Sequence, residues 1–203
     1  MTKQIIIIIV LSMDILTGKA QTPRVEGAGN KSGVQDYLAD KLVNAPVVMA
    51  ADAGESLEML GSKLTFKLTT ESTNNQMGLY EVKLAPQVSG AKLHYHRFMD
   101  ETFVVTKGTL TVQLIDREVE IGEGGVIHIP RFTPHGFYNG TDEEVMALML
   151  FNPPQHREDF FRGMKEVLSE EPMDASKFLQ LYHKYDSHPI DESEAADVLR
   201  SLQ

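Results

Sequence analysis

The chain has 203 residues, 42% of them hydrophobic, enough for one full core with appendages. Nineteen basic residues against 29 acidic ones leave a net charge of −10, and no segment offers the basic footprint that a phosphate backbone needs, so a nucleic-acid partner is disfavoured. Cysteine is absent, which excludes disulfides, thiolate metal sites and cysteine nucleophiles, and leaves His, Asp and Glu for any metal or acid–base chemistry.

Lys3 precedes an apolar run from Ile5 to Leu11 that is too short to span a bilayer, which takes about 20 residues. It has the character of a secretory h-region. Gly18 and Ala20 put small residues where signal peptidase reads them, so residues 1–20 read as a signal peptide cleaved before Gln21. The mature protein is then expected to be periplasmic or secreted, with no membrane association after cleavage. The competing reading is a buried first strand, because five consecutive isoleucines favour β structure.

Residues 21–46 open on Gly, Asn, Lys and Pro without periodicity, which predicts a linker. A short helix follows, with Val34, Leu38 and Leu42 near helical spacing and Pro46 closing it. Residues 47–152 change rhythm. After Val47–Ala50 and a turn-like Asp52-Ala53-Gly54, strands are predicted over Lys63–Thr70, Met77–Leu84, Lys92–His96, Glu101–Thr106, Thr109–Ile115, Arg117–Ile121, Val126–Pro130, Gly136–Tyr138 and Val145–Asn152, divided by Gly, Asp or Asn turns. Many short strands with such turns predict an all-β core, a sandwich or barrel. Beyond Pro153-Pro154 the period becomes helical: Phe160, Phe161, Met164, Val167 and Leu168, then Phe178, Leu179, Tyr182 and Tyr185, with Leu199 and Leu202 closing a third helix. Residues 153–203 are thus expected to be a helical tail that lies on the barrel or covers a partner's edge strand and stays apart from the chemistry.

The stretch from His94 to Glu101 carries the chemistry. In an extended strand His94 and His96 face the same way, which is chelating spacing. Glu101 lies at odd distance from both, so a turn at Arg97–Asp100 must restore its direction; Glu101, Phe103 and Val105 then share one face. His128 alternates with isoleucines and either faces solvent or lines the barrel as a donor behind the ligands, while His156, His183 and His188 read as surface residues. Tyr95 and Arg97 point away from the ligand face.

Two motifs here resemble those of the cupin family, G-x5-H-x-H-x3,4-E-x6-G and G-x5-P-x-G-x2-H-x3-N. His94, His96, Glu101 and Gly108 match the first, and Gly124, Pro130, His135 and Asn139 the second. Val88 stands where the first motif begins with Gly, with Gly90 two positions on. Phe132 stands where the second wants Gly, so that turn is expected to take another shape. The resemblance implies a cupin jelly-roll, or double-stranded β-helix, barrel over residues 47–152. It also implies one divalent transition metal (Fe, Mn, Ni, Cu, Co or Zn) held by His94, His96, Glu101 and His135. By analogy with quercetin dioxygenase-type cupins it implies a metal-dependent dioxygenase acting on an aromatic or dicarbonyl small molecule, with Glu101 also catalytic as general base. Phe103 and Phe137 share parity with a ligand and are expected to line the pocket. A non-catalytic small-ligand-binding module and a metal-dependent isomerase are the alternatives. A homodimer is expected, because open jelly rolls leave edge strands to cover.

Overall fold

Strict alternation of large apolar with polar side chains makes strands whose two faces meet different surroundings. In β3 (Gly78–Leu84), β5 (Asp100–Lys107) and β10 (Val145–Asn152) every second residue is buried. These three strands lie side by side at the centre of a sheet in the computed structural model, which describes residues 45–172 and 174–190. The other strands are β1 (Ser56–Met59), β2 (Ser62–Leu68), β4 (Ser89–Tyr95), β6 (Thr109–Leu114), β7 (Glu118–Gly122), β8 (Val126–Ile129), β9 (His135–Tyr138) and β11 (His188–Pro189). They form a six-stranded sheet, β1-β2-β3-β10-β5-β8, and a five-stranded sheet, β11-β4-β9-β6-β7, each antiparallel throughout. The architecture is a two-sheet antiparallel jelly roll with C-terminal helices.

Between the sheets lies one core that includes Leu84, Phe103, Val105, Leu110, Val112, Ala147 and Met149, all buried. Asn139 pins its rim. The amide Nδ2 donates to the carbonyls of Leu84, Ala85 and Glu143, while Oδ1 accepts from the amide and hydroxyl of Thr141. A fully buried Asn is affordable only when satisfied at both ends in this way.

Two helices follow, α1 (Arg157–Leu168) and α2 (Ala175–Lys184). Asp174 caps α2 by accepting from the amides of Ser176 and Lys177. Phe161 of α1 meets Tyr80 edge-on at 5.3 Å and Phe66 at 6.3 Å, so the tail extends the aromatic core. After α2 the chain turns back at Asp186, and β11 pairs with β4. The tail therefore covers an edge strand of its own barrel.

The expectations for residues 1–20, for the linker and short helix over 21–46, and for a helix at Leu199 and Leu202 fall largely or wholly outside the described residues. Among the described residues the first strand is Ser56–Met59, a segment without an alternation long enough to reveal it, whereas Val47–Ala50 forms no strand and leaves Val48 exposed. Among the described residues no helix is long and apolar enough to cross a membrane.

Candidate metal centre

β4 and β9 are neighbours in the five-stranded sheet, and their register sets His94 directly opposite His135. Gly136 allows this approach, because a Cβ there would lie 2.8 Å from the carbonyl oxygen of Ala91 on the facing strand. His96 follows at the end of β4. The chain then turns through Arg97–Met99 and enters the opposite sheet at β5, which aims Glu101 back across the core, as parity required. All four side chains are buried, and their ligand atoms lie within 4.8 Å of one another.

The hydrogen bonds define which atoms face inward. The ring nitrogens Nδ1 of His94, His96 and His135 each donate to a backbone carbonyl, those of Lys92, Asp186 and Thr133. A carbonyl can only accept, so each Nδ1 carries its hydrogen and a neutral ring turns a lone pair on Nε2 towards the centre. Burial pushes the His94 and His96 imidazoles down, keeping them neutral near pH 7. Burial alone would raise the Glu101 carboxyl, which is held down as the carboxylate only by positive charge beside it, from protons on the His135 and His96 rings or from a cation in their place.

Glu101 Oε2 stands 2.8 Å from His135 Nε2 and 3.2 Å from His96 Nε2. With neutral rings these contacts set lone pairs against a carboxylate, an arrangement that calls for a cation among them. Adjacent ligands at about 2.1 Å from an octahedral metal are roughly 3.0 Å apart, so the spacing is that of a coordination sphere. Three imidazoles and one carboxylate fit a divalent transition metal.

The centre opens on one side. A cavity of about 110 Å³ reaches His94 and Glu101, and its walls are mostly apolar, including Phe137, Met149, Phe151 and Phe160. That is somewhat under the roughly 150 Å³ known to admit one benzene ring, so a single small ring fits only by using the cavity's open side, and nothing larger is accommodated. Phe137 lines it as its parity implied. Its ring lies where a Cβ on Gly90 would meet it at 2.0 Å, so Gly90, part of β4, is required by close approach. Phe103 does not line the cavity. It faces inward but is fully buried and packs on Phe137 with centroids 4.8 Å apart, so it supports the wall from behind.

The tail departs furthest from expectation. Arg157, Phe160, Phe161, Met164 and Leu168 of α1 and Tyr182 of α2 all line the cavity. Asp186 does two jobs: its carbonyl accepts from His96 Nδ1, and its carboxylate accepts from the amides of Arg97 and Phe98 at 2.8 to 3.1 Å. The sequence pattern missed both Arg157 and Asp186. Arg157 had one signal, a cation in the first turn of a helix where the macrodipole disfavours it. Asp186 had none beyond a turn-like Asp-Ser-His-Pro.

Phe132 also corrects an expectation. The turn keeps the left-handed conformation that glycine would take, with Phe132 at φ 64°. Its amide donates to the carbonyl of His96 at 2.6 Å and its ring is left exposed, so the hydrogen bond to the ligand loop holds the strained backbone. His128 points outward and bonds Thr102 Oγ1 through Nδ1, while His156 and His183 are exposed; His188 is partly covered and stacks on Tyr95.

Residues 80–151 match the family model described as Cupin domain. No curated protein matches the chain. Among solved structures, it is similar to a sugar phosphate isomerase from a cupin superfamily of Silicibacter pomeroyi at 25% identity, covering 45% of this chain and 59% of that one, with a TM-score of 0.42. The chain thus spans under two thirds of that relative. A predicted oxalate decarboxylase from Thermotoga maritima aligns at 21% identity over 53% of this chain and 99% of the other, with a TM-score of 0.47. An RmlC-like cupin from Shewanella frigidimarina aligns at 17% identity over 57% and 96%, with a TM-score of 0.48.

Proposed function

We propose that this chain is a cupin and a metal-dependent oxidoreductase, a dioxygenase acting on a small aromatic or dicarbonyl molecule, a reading supported by the match of residues 80–151 to the Cupin domain model. The observation that supports this reading is a buried three-His, one-Glu cluster whose open side faces an apolar cavity through His94 and Glu101. A bound divalent metal would supply Lewis acidity towards a substrate hydroxyl or enol, and a place for dioxygen.

The chain's own residues do the rest. His94, His96 and His135 are held in one tautomer by three carbonyls and need no reorientation to act as ligands. Glu101 is ionised and adjoins the cavity, placed to accept a proton from a substrate hydroxyl as well as to ligate. Phe137, Phe151 and Phe160 exclude water and pack on a ring or chain of matching size. Export with Gln21 as first residue, tested by mass spectrometry of the secreted protein, and homodimerisation, tested by sedimentation, belong to the same reading.

Metal analysis of untagged protein, followed by oxygen-electrode assays with small catechols and β-dicarbonyls, tests the assignment. Near-stoichiometric redox-active metal and substrate-dependent oxygen uptake are the expected results. Protein with no affinity for any divalent transition metal would overturn it.

A further inference from the structure

Arg157 is 3% exposed, a permanent cation in the cavity wall and the one Arg or Lys among the described residues that line it. Its Nη1 donates to the carbonyl of Tyr185 at 3.0 Å and to Ser187 Oγ at 2.8 Å, and its guanidinium lies 3.9 Å from the Phe160 ring centroid and 4.8 Å from that of Phe151. These contacts fix its position without neutralising it. The nearby buried carboxylates are committed elsewhere. Glu158 accepts from the Thr70 amide and hydroxyl and from the Tyr80 hydroxyl, Asp186 from the amides of Arg97 and Phe98, and Glu101 faces the histidines. Arg157 Nε is buried with no hydrogen-bond partner among the described residues.

A buried guanidinium that makes no ion pair among the described residues, and is favoured only through space by Glu101 and Asp186, is costly to bury, and such groups cluster at functional sites. A divalent metal would set its charge against the single negative charge of Glu101, and with Arg157 the cavity would hold a net positive charge inside apolar walls. A guanidinium fork matches a carboxylate. We propose that Arg157 is the anchor for a carboxylate on the substrate, so that the cavity takes small organic acids with an apolar or aromatic body in preference to neutral molecules of the same shape. This rests on the assignment of the cavity as the substrate site and narrows the substrate class.

Benzoate and benzamide are nearly isosteric and differ in charge, which makes them suitable probes for calorimetric titration of metal-free and zinc-loaded protein. Benzoate should bind at least 10-fold tighter than benzamide to both forms, because metal-free protein still presents Arg157. Arg157→Gln should bring the two affinities to within about 2-fold in the metal-free form, and Arg157→Lys should keep part of the preference. Equal affinities in wild type, no binding of either probe at 20-fold molar excess over millimolar protein, or a preference undiminished in Arg157→Gln would each overturn the proposal. Should Arg157→Gln fail to fold, the wild-type pair in the metal-free form decides. Zinc affinity is read in the same titrations: its loss would sink the metal-dependent assignment and leave the anion preference as a separate result.

Discussion

Replacing Asp186 by Ala tests whether the tail is part of the metal centre. The substitution removes the acceptor of two backbone amides, those of Arg97 and Phe98, in a side chain only 7% exposed. Each amide left unsatisfied costs about 1 to 3 kcal/mol, and partial access of water to this turn favours the lower half of that range. Asp186 sits at φ 58°, where Ala is strained by roughly 1 kcal/mol more than a residue suited to that region. The sum is about 3 to 5 kcal/mol, or a fall in Tm of roughly 6 to 20 °C for a unit of this size. Asp186→Gly loses the same bonds without the strain and should fall less. The turn also delivers the carbonyl that orients His96, so zinc affinity should weaken by about 10- to 100-fold. Urea unfolding of chelated protein gives the first number, and competition with a chromophoric chelator gives the second. Wild-type zinc affinity in a destabilised Asp186→Ala protein would show that Asp186 only pins the turn, and that the argument for His96 is wrong.

His96→Ala should abolish tight metal binding while His128→Ala, outside the cluster, leaves it intact; equal losses would contradict the site. Glu101→Gln should retain part of the metal and lower oxygen uptake by about 10²- to 10⁴-fold per bound metal, and equal turnover per metal would reduce Glu101 to a ligand. Phe132→Gly should stabilise the protein by about 1 kcal/mol by relieving a positive φ at an exposed side chain, and a destabilised variant would mean the ring packs usefully. Arg162 holds the Glu55 carboxyl below its usual 4.5, so the pair's contribution is full above about pH 4.5 and is lost as the pH falls through the lowered folded value. Glu55→Gln should therefore lose about 0.2 to 1 kcal/mol at pH 7 and nothing at low pH, and equal losses at both would refute the linkage.

Three of the four candidate ligands were legible because strand parity and loop length act locally, while His135 followed only from the motif resemblance. His94 in β4 and His96 just beyond its end both point inward, the turn at Arg97–Met99 returns Glu101 to the inside, and the periodic strands from Ser62 onwards fall within a few residues of their predicted bounds. Local pattern also separated barrel from helices, since the apolar period changes after Pro154. It could not assign Phe103 and Phe137 to different roles, because parity says which way a side chain points and not how deep its neighbours stand. Nor could it find Arg157 and Asp186, which lie 56 and 85 residues beyond Glu101 in the chain. Their roles exist only once α1 packs its aromatic face on the core and the return at Asp186 pairs β11 with β4. The amino-acid order determined which atoms could bind a metal; the docking of the tail decided how the cavity is closed, what charge it carries and which carbonyl orients His96, because long-range packing leaves no periodic mark on the sequence.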